Sequence, residues 1–287
     1  IGRRMPLVVI LEDLHWADDS SLDLLHELDV AASGIPILVV CASRMLLLER
    51  RPDWGSGLAF HEFIRLQPLS PEDCRRLVDE IFQMAEGQLP ELSDLIVDSA
   101  GGNPYYVEEL VKMLIEDGVI TKSDDRWHVD AGQLRSIQIP STLMEVLQAR
   151  FDSLSPDEKM VLQRAAVVGR TFWDQVIEAI SDQETKQPGR RGTRQVDLSG
   201  LLGRLQEREL IYHQVESTFA SAEEYFFKHA LMRDATYEGL LRRYRRVYHG
   251  QVARWLVSMT EASGRTDEYA ARIAEHLDLA GEGDQAA

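Results

Sequence analysis

Residues 6–18 read PLVVILEDLHWAD, and the apolar run from Leu7 to Leu11 leads directly into Glu12 and Asp13. A short apolar run with polar ends predicts a fully buried strand of the kind found in parallel sheets. In open α/β sheets, ligands bind at the carboxyl ends of the strands, which is where these two acids lie. Paired carboxylates there suit a hydrated Mg²⁺ ion, because Mg²⁺ prefers oxygen ligands and keeps several waters. The alternative is a strand that ends in solvated acids.

The next part of the chain predicts a helix and a second strand. The polar segment 18–21 supplies candidate N-cap residues, and leucines follow it at helical spacing. Residues 35–42, IPILVVCA, form a second apolar run, which predicts another buried strand ending directly before Ser43 and Arg44. Residues 61–66, HEFIRL, alternate between polar and apolar side chains as a short strand would.

The composition excludes several classes of protein. The chain has 287 residues, 44% of them hydrophobic and 28% charged, which is ordinary for a globular protein and allows two or three domains. Its net charge of −17 disfavours direct DNA binding, which needs a basic face. Cys41 and Cys74 lie in apolar contexts, so we expect a reducing cytoplasm rather than a disulfide framework. No apolar run reaches the roughly 20 residues that a transmembrane helix needs, so no membrane contact is expected.

From residue 70 onward the pattern is mainly helical. Ser or Pro followed by acidic residues is typical of the start of a helix, and such starts predict helices over residues 71–82 and 90–99. Gly102 ends the second of these, and Asn103 is placed to cap a third helix with Pro104 at its first position.

The remaining elements follow from the same local signals. The pattern predicts a hairpin turning at 123–125, helices starting near 141 and 155 (the second stopping at Gly169), a helix over 172–180, a helix over 198–208, a hairpin that pairs 210–213 with 224–227, and helices over 244–258 and 268–279. Residues 182–195 are polar and contain Gly and Pro, which predicts a loop.

Several strings in this chain resemble signal-transduction ATPases of the STAND class. Residues 11–25, LEDLHWADDSSLDLL, resemble the Walker B segment of the AAA-16 branch of that class, which occurs in LuxR-type large transcriptional regulators and in multidomain adenylate or guanylate cyclases and kinases. Similar family strings are LQPLS at 66–70, GNPYYVEEL at 102–110, IPSTLMEVLQARFDSLSPDEKMVLQRAAVVGRTF at 139–172 and KHALMRDATY at 228–237.

The resemblance implies an α/β fold followed by an all-α part. Its expected domains are an incomplete P-loop NTPase parallel sheet (1–69), a helical lid (70–118), a winged-helix-like domain (119–228) and the start of TPR-like helical repeats (229–287). The sequence has no Gly-Lys pair and therefore no Walker A loop, which in the family precedes Walker B. We therefore expect the chain to be a fragment that runs from Walker B onward.

The resemblance also implies two sets of site residues. At the strand ends, Glu12 would hold Mg²⁺, Asp13 would act catalytically by polarising water, and Arg44 would sense the γ-phosphate. A surface arginine at a strand end explains Arg44 equally well.

In the helical part, the Asn103–Pro104 turn would lie near the adenine, and His229 would contact the β-phosphate. The alternatives are a simple helix-capping turn and a structural histidine, because His229, Arg233 and Tyr237 share one helix face.

The implied function is an ATP-binding, ATPase-type regulatory switch of a cyclase, kinase or transcriptional regulator. ATP or ADP with Mg²⁺ is the expected cofactor, hydrolysis is expected only in the complete parent protein, and the partners are the parent's other domains or a protein bound through the helical repeats. One alternative is a non-catalytic interaction scaffold with a degenerate ATPase core. Another is a winged-helix DNA binder, although residues 198–209 balance two Arg against two Glu. The basic cluster at 242–246 is either a solvated or acid-paired face or an interdomain contact.

Overall fold

The computed structural model describes residues 5–31, 34–57, 61–82, 90–123, 126–180 and 197–281. The chain divides into two compact units, unit 1 (Ile1–Gln67) and unit 2 (Pro68–Ala287). The architecture is mixed α/β, with many helices and small sheets. In the described part of the chain, no helix is both long and apolar enough to cross a membrane.

Unit 1 is built on a parallel strand pair. Strand β1 (Leu7–Leu11) pairs in parallel with β2 (Ile37–Cys41), and the crossover between them contains a short 3-10 helix (Leu14–Trp16) and helix α1 (Asp19–Ala31). Helix α2 (Leu46–Arg50) follows β2. The core of unit 1 is small and consists of the buried residues Leu14, Leu22 and Leu47 with partly buried neighbours.

The prediction that both strands are fully buried is wrong. Burial alternates along β1, and the register places alternate residues of both strands on one open face. The exposed fractions on this face are 58% for Val8, 65% for Ile10, 58% for Leu38 and 44% for Val40. Both strands thus carry apolar side chains on both faces of the sheet, but the described residues cover only one of these faces.

The prediction of a strand at residues 61–66 is also wrong, because this segment forms no helix or strand within the described residues. Phe63, Ile64 and Leu66 are largely exposed there. A strand needs a neighbour for its backbone hydrogen bonds, and within the described residues this segment pairs with none.

Unit 2 begins with helices around one apolar core. Helices α3 (Pro71–Phe82), α4 (Pro90–Ala100) and α5 (Pro104–Glu116) pack together, and the antiparallel pair β3 (Ile120–Ser123) and β4 (Arg126–Val129) follows them with helix α6 (Ala131–Ser136). Their buried side chains form a single cluster that includes Phe82, Ile96, Leu110 and Leu114. Helices α3, α4 and α5 and the hairpin were predicted, whereas α6 was not, and the turn at 124–125 lies outside the described residues.

The rest of unit 2 alternates helices with short antiparallel strands. Its elements are α7 (Leu143–Asp152), α8 (Pro156–Val168), β5 (Thr171–Trp173), α9 (Asp174–Ala179), α10 (Leu198–Glu207), β6 (Ile211–Gln214), β7 (Glu224–Phe227), α11 (Ala230–Glu238), α12 (Arg242–Ser263) and α13 (Thr266–Ala280). The strands form an antiparallel sheet in the order β5-β7-β6. The loop predicted at 182–195 lies outside the described residues.

The helix predicted over residues 172–180 needs correction at its start. Phe172 and Trp173 belong to β5, which pairs with β7, and the helix begins at Asp174. Tertiary packing explains why these two residues lie in a strand, since both aromatic side chains are buried. Trp173 packs against Phe219 and Trp255, with ring centroids 5.1 and 5.3 Å away. This aromatic group belongs to a second core cluster, which extends from α7 to α13.

Candidate functional site

The parallel register of unit 1 brings three predicted site residues to one sheet edge. Leu11 lies opposite Cys41 at the ends of β1 and β2. Two backbone hydrogen bonds link the two segments just beyond the strand ends. Ala42 N donates to Leu11 O at 2.8 Å, and Leu14 N donates to Ala42 O at 3.1 Å. Glu12 and Asp13 therefore leave the sheet beside the Ser43–Arg44 segment, and all three predicted side chains are exposed.

Asp13 has an unusual backbone conformation. Its φ of 54° and ψ of 34° are left-handed, and it precedes the 3-10 helix without a capping bond from its side chain. Among the described residues, Asp13 and Glu209 are the non-glycine residues with positive φ. Such conformations cost free energy and concentrate at functional sites, although Asp tolerates them better than most residues do.

The donor set at this edge fits Mg²⁺. Glu12 and Asp13 are adjacent exposed carboxylates, and Mg²⁺ is commonly held by one or two carboxylates, with water and substrate phosphate as its other ligands. Within the residues that the structure describes, no group of three or more His, Cys, Asp or Glu residues could hold a metal ion.

In unit 2, Asn103 and Pro104 form the predicted helix start. The Oδ1 atom of Asn103 accepts hydrogen bonds from Tyr105 N at 3.0 Å and Tyr106 N at 3.4 Å, and Pro104 occupies the first turn of α5. This capping explains the position of Asn103 fully by local structure.

The glycine before this turn permits a close backbone contact. Gly102 has a φ of 81°, and a Cβ atom there would lie 2.6 Å from Leu69 O and 2.7 Å from Pro68 Cβ. Leu69 N donates to Gly102 O at 2.8 Å. This hydrogen bond therefore joins two of the segments that resemble the STAND class, residues 66–70 and 102–110.

His229 lies at the start of α11, where it stacks on Tyr105 of α5. The ring centroids are 3.8 Å apart with a tilt of 36°. The Tyr105 hydroxyl and His229 Nε2 are both buried, and neither has a hydrogen-bond partner among the described residues. Burial lowers the pKa of His229 and, with the nearby Glu109 charge, raises the pKa of Tyr105.

A charged cluster lies beside this stack, and we define it as Glu109, Lys112, Arg150, Glu209 and Lys228. Glu109 and Arg150 form a nearly fully buried ion pair. Glu209 Oε2 lies 2.7 Å from Lys112 Nζ and 2.6 Å from Lys228 Nζ. Hydrogen bonds from Lys112 and Lys228 lower the pKa of Glu209 to about 2.

Three members of the charged cluster, Glu109, Glu209 and Lys228, line a shallow depression. It is lined by Tyr105, Glu109, Glu209, Leu210, Lys228, His229 and Met232. Polar groups of opposite charge and two unpaired polar atoms therefore converge on one place in unit 2.

The predicted residues thus fall into two groups. Unit 1 brings Glu12, Asp13 and Arg44 to one edge, and unit 2 links the Asn103 turn to His229 through Tyr105. Sequence reasoning missed the site positions of Lys112, Lys228 and Glu209. A usable signal exists for Lys228, which directly precedes His229 in a string noted for its family resemblance. Glu209 follows a helix end in a left-handed conformation, where Gly or Asn would be the usual signal.

Comparison with known sequences gives distant relatives. No protein-family model matches the sequence. The chain is 25% identical over 290 residues to an uncharacterised protein of Rhizobium meliloti, covering 98% of the chain and 25% of that protein. It is 21% identical over 223 residues to adenylate cyclase type 10 of the rat, covering 61% of the chain and 13% of that cyclase. The chain therefore spans a quarter or less of the curated relatives that it matches.

Comparison with solved structures identifies the class of fold. A STAND protein with a tetratricopeptide repeat sensor from Pyrococcus horikoshii superposes with a TM-score of 0.54 at 14% identity, covering 96% of the chain and 33% of that protein. The chain therefore has a STAND-like fold over nearly its whole length. This likeness concerns the fold alone, because the sequence identity is low.

Proposed function

We propose that this chain is part of an ATP-controlled regulatory switch in a larger signalling protein. The single observation that carries the proposal is the sheet edge of unit 1. There, two acids after β1 and an arginine after β2 lie side by side in a STAND-like fold. A parallel sheet with polar residues at its carboxyl edge is the usual place for a ligand in α/β proteins.

In this proposal unit 1 is the carboxyl-terminal part of a P-loop NTPase core. Glu12 would hold Mg²⁺, which when bound neutralises phosphate charge. Asp13 would accept a hydrogen bond from the attacking water and polarise it. Arg44 would contact the γ-phosphate, since a guanidinium suits oxyanions.

Unit 2 would contribute the lid, a winged helix and the first helical repeats. The succession from α7 to β7, with an antiparallel sheet in the order β5-β7-β6, supports the winged-helix assignment. The domain limits stay as proposed from the sequence, at residues 70–118, 119–228 and 229–287. Asn103 and Pro104 would shape the adenine end of the nucleotide site, and His229 would contact a phosphate.

The parent protein would be a cyclase, kinase or transcriptional regulator of the cytoplasm. The likeness to adenylate cyclase type 10 and to a STAND protein with a repeat sensor supports this range. Packing of unit 2 would respond to ATP or ADP and control a distant effector domain, while further repeats would bind a protein partner.

The test is ATP·Mg²⁺ binding by calorimetry, on this chain and on the full-length parent protein. We expect binding in the parent and weak or no binding in this chain, which lacks a Walker A loop. In the parent, Asp13→Asn should abolish turnover while ATP still binds, and Asp53→Asn, in an exposed turn of unit 1, is the matched control. Unchanged turnover in Asp13→Asn would rule out the catalytic assignment.

A second candidate is a non-catalytic interaction module. It is favoured by the start of α12, where Arg242, Arg243 and Arg246 form no ion pair with a described carboxylate although the chain carries a net charge of −17. Leu241 and Val247 beside them are 58% and 45% exposed. Absence of ATP binding in both the chain and the parent would favour this function.

A further inference from the structure

Glu209 occupies a position between two lysines from different elements. Lys112 belongs to α5, and Lys228 directly follows β7, two positions before α11 begins at Ala230. Their ammonium groups converge on the same carboxylate atom, Oε2 of Glu209, at 2.7 and 2.6 Å. One oxygen atom thus accepts from two charged donors, which are 21% and 18% exposed.

The backbone at Glu209 is held in an unfavourable conformation. Its φ is 55°, a left-handed value that residues with a Cβ atom rarely adopt. Glu209 N donates to Gln206 O at 2.8 Å and Leu210 N donates to Leu205 O at 3.0 Å, so the end of α10 fixes this turn. Gly or Asn would satisfy the turn at lower cost, and the glutamate therefore has a role other than forming it.

Two unpaired polar atoms belong to residues that line the same depression. The Tyr105 hydroxyl and His229 Nε2 are buried without a hydrogen-bond partner among the described residues. Tyr105, His229, Lys228 and Glu209 all line this shallow depression. Buried polar atoms normally have partners, so unpaired ones beside two cations indicate a missing anion with several oxygens.

We propose that Lys112 and Lys228 form a binding site for a phosphoryl group, and that the carboxylate of Glu209 is a built-in competitor that fills this site in the present state. The inference deepens the proposed nucleotide switch. It rests on that proposed function only in naming a nucleotide as the source of the phosphoryl group.

The number of oxygens distinguishes a phosphoryl group from a carboxylate. A carboxylate has two oxygens, and Glu209 already uses one for both lysines. A terminal phosphoryl group has three oxygens, so it can accept from the lysines and still offer an oxygen to the Tyr105 hydroxyl or to His229. Lysine serves as a point charge for phosphates in many proteins.

The charge balance favours exchange of one anion for another. With Glu209 in place, the charged cluster has three cations and two anions, and Glu116 adds a third anion through its 2.9 Å contact with Arg150. Removing the Glu209 charge leaves Lys228 without this counter-ion and leaves Lys112 with Glu109, whose Oε1 atom lies 3.4 Å from Lys112 Nζ. A phosphoryl group would supply the missing negative charge. Exchange would also remove the direct ion pair between the α10–β6 turn and Lys112 of α5, while Arg150 would still connect Arg208 O to Glu116 of α5.

The experiment uses the full chain and inorganic pyrophosphate as the probe, titrated by calorimetry at low salt. Glu209→Gln should bind pyrophosphate about ten- to one-hundredfold more tightly than the unchanged chain, which corresponds to removing a charge-assisted competitor. Glu207→Gln, an exposed acid on the same helix end, is the matched control and should change little. Glu209→Gly, which also relieves the left-handed backbone, should behave like Glu209→Gln.

A second set of variants assigns the site. Adding Lys112→Met or Lys228→Met to Glu209→Gln should remove the gained affinity, with folding checked by circular dichroism. Tighter binding of ADP than of pyrophosphate would identify a nucleotide as the source, and equal binding would identify a free phosphate compound. Equal affinity in all three glutamate variants, or a gain that survives both lysine substitutions, would overturn the proposal. Neither result depends on ATP binding by the full-length parent.

Discussion

Tyr105 and His229 stack with ring centroids 3.8 Å apart, although 124 positions separate them in the chain. The contact joins the helix that follows the Gly-Asn-Pro turn to the helix that follows β7. Both side chains carry a buried polar atom that lacks a partner among the described residues. The stack therefore gains contact area while leaving two polar groups unsatisfied, which is the arrangement expected where a ligand completes the site.

Replacing Tyr105 with phenylalanine should leave the free energy of unfolding unchanged or raise it by up to about 1 kcal/mol, because it removes an unsatisfied buried hydroxyl. Tyr106→Phe is the matched control, since the Tyr106 hydroxyl donates to Pro140 O. That variant should lose about 1 kcal/mol. Urea unfolding followed by circular dichroism measures both, and a clear loss in Tyr105→Phe would mean that its hydroxyl has a partner in solution.

Asn103→Ala should destabilise unit 2 by about 1 kcal/mol, because the side chain caps α5. Asn103→Asp keeps an acceptor oxygen and should retain most of the stability. Thermal unfolding compares the two variants. If Asn103→Asp is as stable as the unchanged chain but weakens nucleotide binding in the parent, the residue has a role beyond capping. Equal destabilisation by both variants would contradict the capping account.

Elements with strong local signals were predictable from the sequence. Ser155 and Glu158 form a reciprocal capping box at the start of α8, and the helix ends at Gly169, as the pattern indicated. The same holds for α3 and α5, whose starts carry proline and a capping residue. These signals act within one helical turn, so the sequence alone contains them.

Features that depend on distant partners were not predictable. Phe172 and Trp173 lie in a strand because β5 pairs with β7, more than fifty residues later in the chain. Likewise, Lys112, Glu209 and Lys228 meet through folding of three separate elements, and no short pattern links them. The sequence therefore predicted candidate residues after β1 and in the Asn103 turn, whose roles stay predictions, whereas it did not predict the charged cluster.

Breaking the buried ion pair should be costly. Arg150 and Glu109 are 2% and 1% exposed, and without Arg150 the Glu109 carboxylate keeps only its 3.4 Å contact with Lys112 among the described residues. Arg150→Met should therefore destabilise unit 2 by about 3–5 kcal/mol. Adding Glu109→Leu should recover part of this loss. A double-mutant cycle in urea should give a coupling of about 1–3 kcal/mol.

The matched control for that cycle is the exposed pair of Arg75 and Asp94. Their contact distance is 2.7 Å, but the side chains are 47% and 59% exposed. Surface pairs of this kind contribute at most about 1 kcal/mol. Equal coupling energies for the two pairs would show that burial does not govern the Glu109–Arg150 interaction.

Acidification should destabilise unit 2 through a buried histidine pair. His249 Nδ1 lies 2.7 Å from His276 Nδ1, and His249 Nε2 lies 2.9 Å from the Tyr237 hydroxyl. A bond between two Nδ1 atoms needs one donor and one acceptor, so the rings cannot both be protonated. Burial, with the charges of Arg233 and Arg245, lowers the pKa of His249 to about 4. Burial, with His249 and Arg272 among the other causes, lowers the pKa of His276 to about 3.

The unfolded chain binds protons at these histidines below a pH of about 6.5, whereas the folded chain does not until its lowered pKa values are reached. The free energy of unfolding should therefore fall as the pH drops from about 6.5 towards 4, by up to about 1.4 kcal/mol per pH unit for each histidine. Urea unfolding at several pH values measures this slope. His276→Asn should flatten it, while His128→Gln, at an exposed position of β4, should not. An unchanged slope in His276→Asn would mean that other groups cause the acid sensitivity.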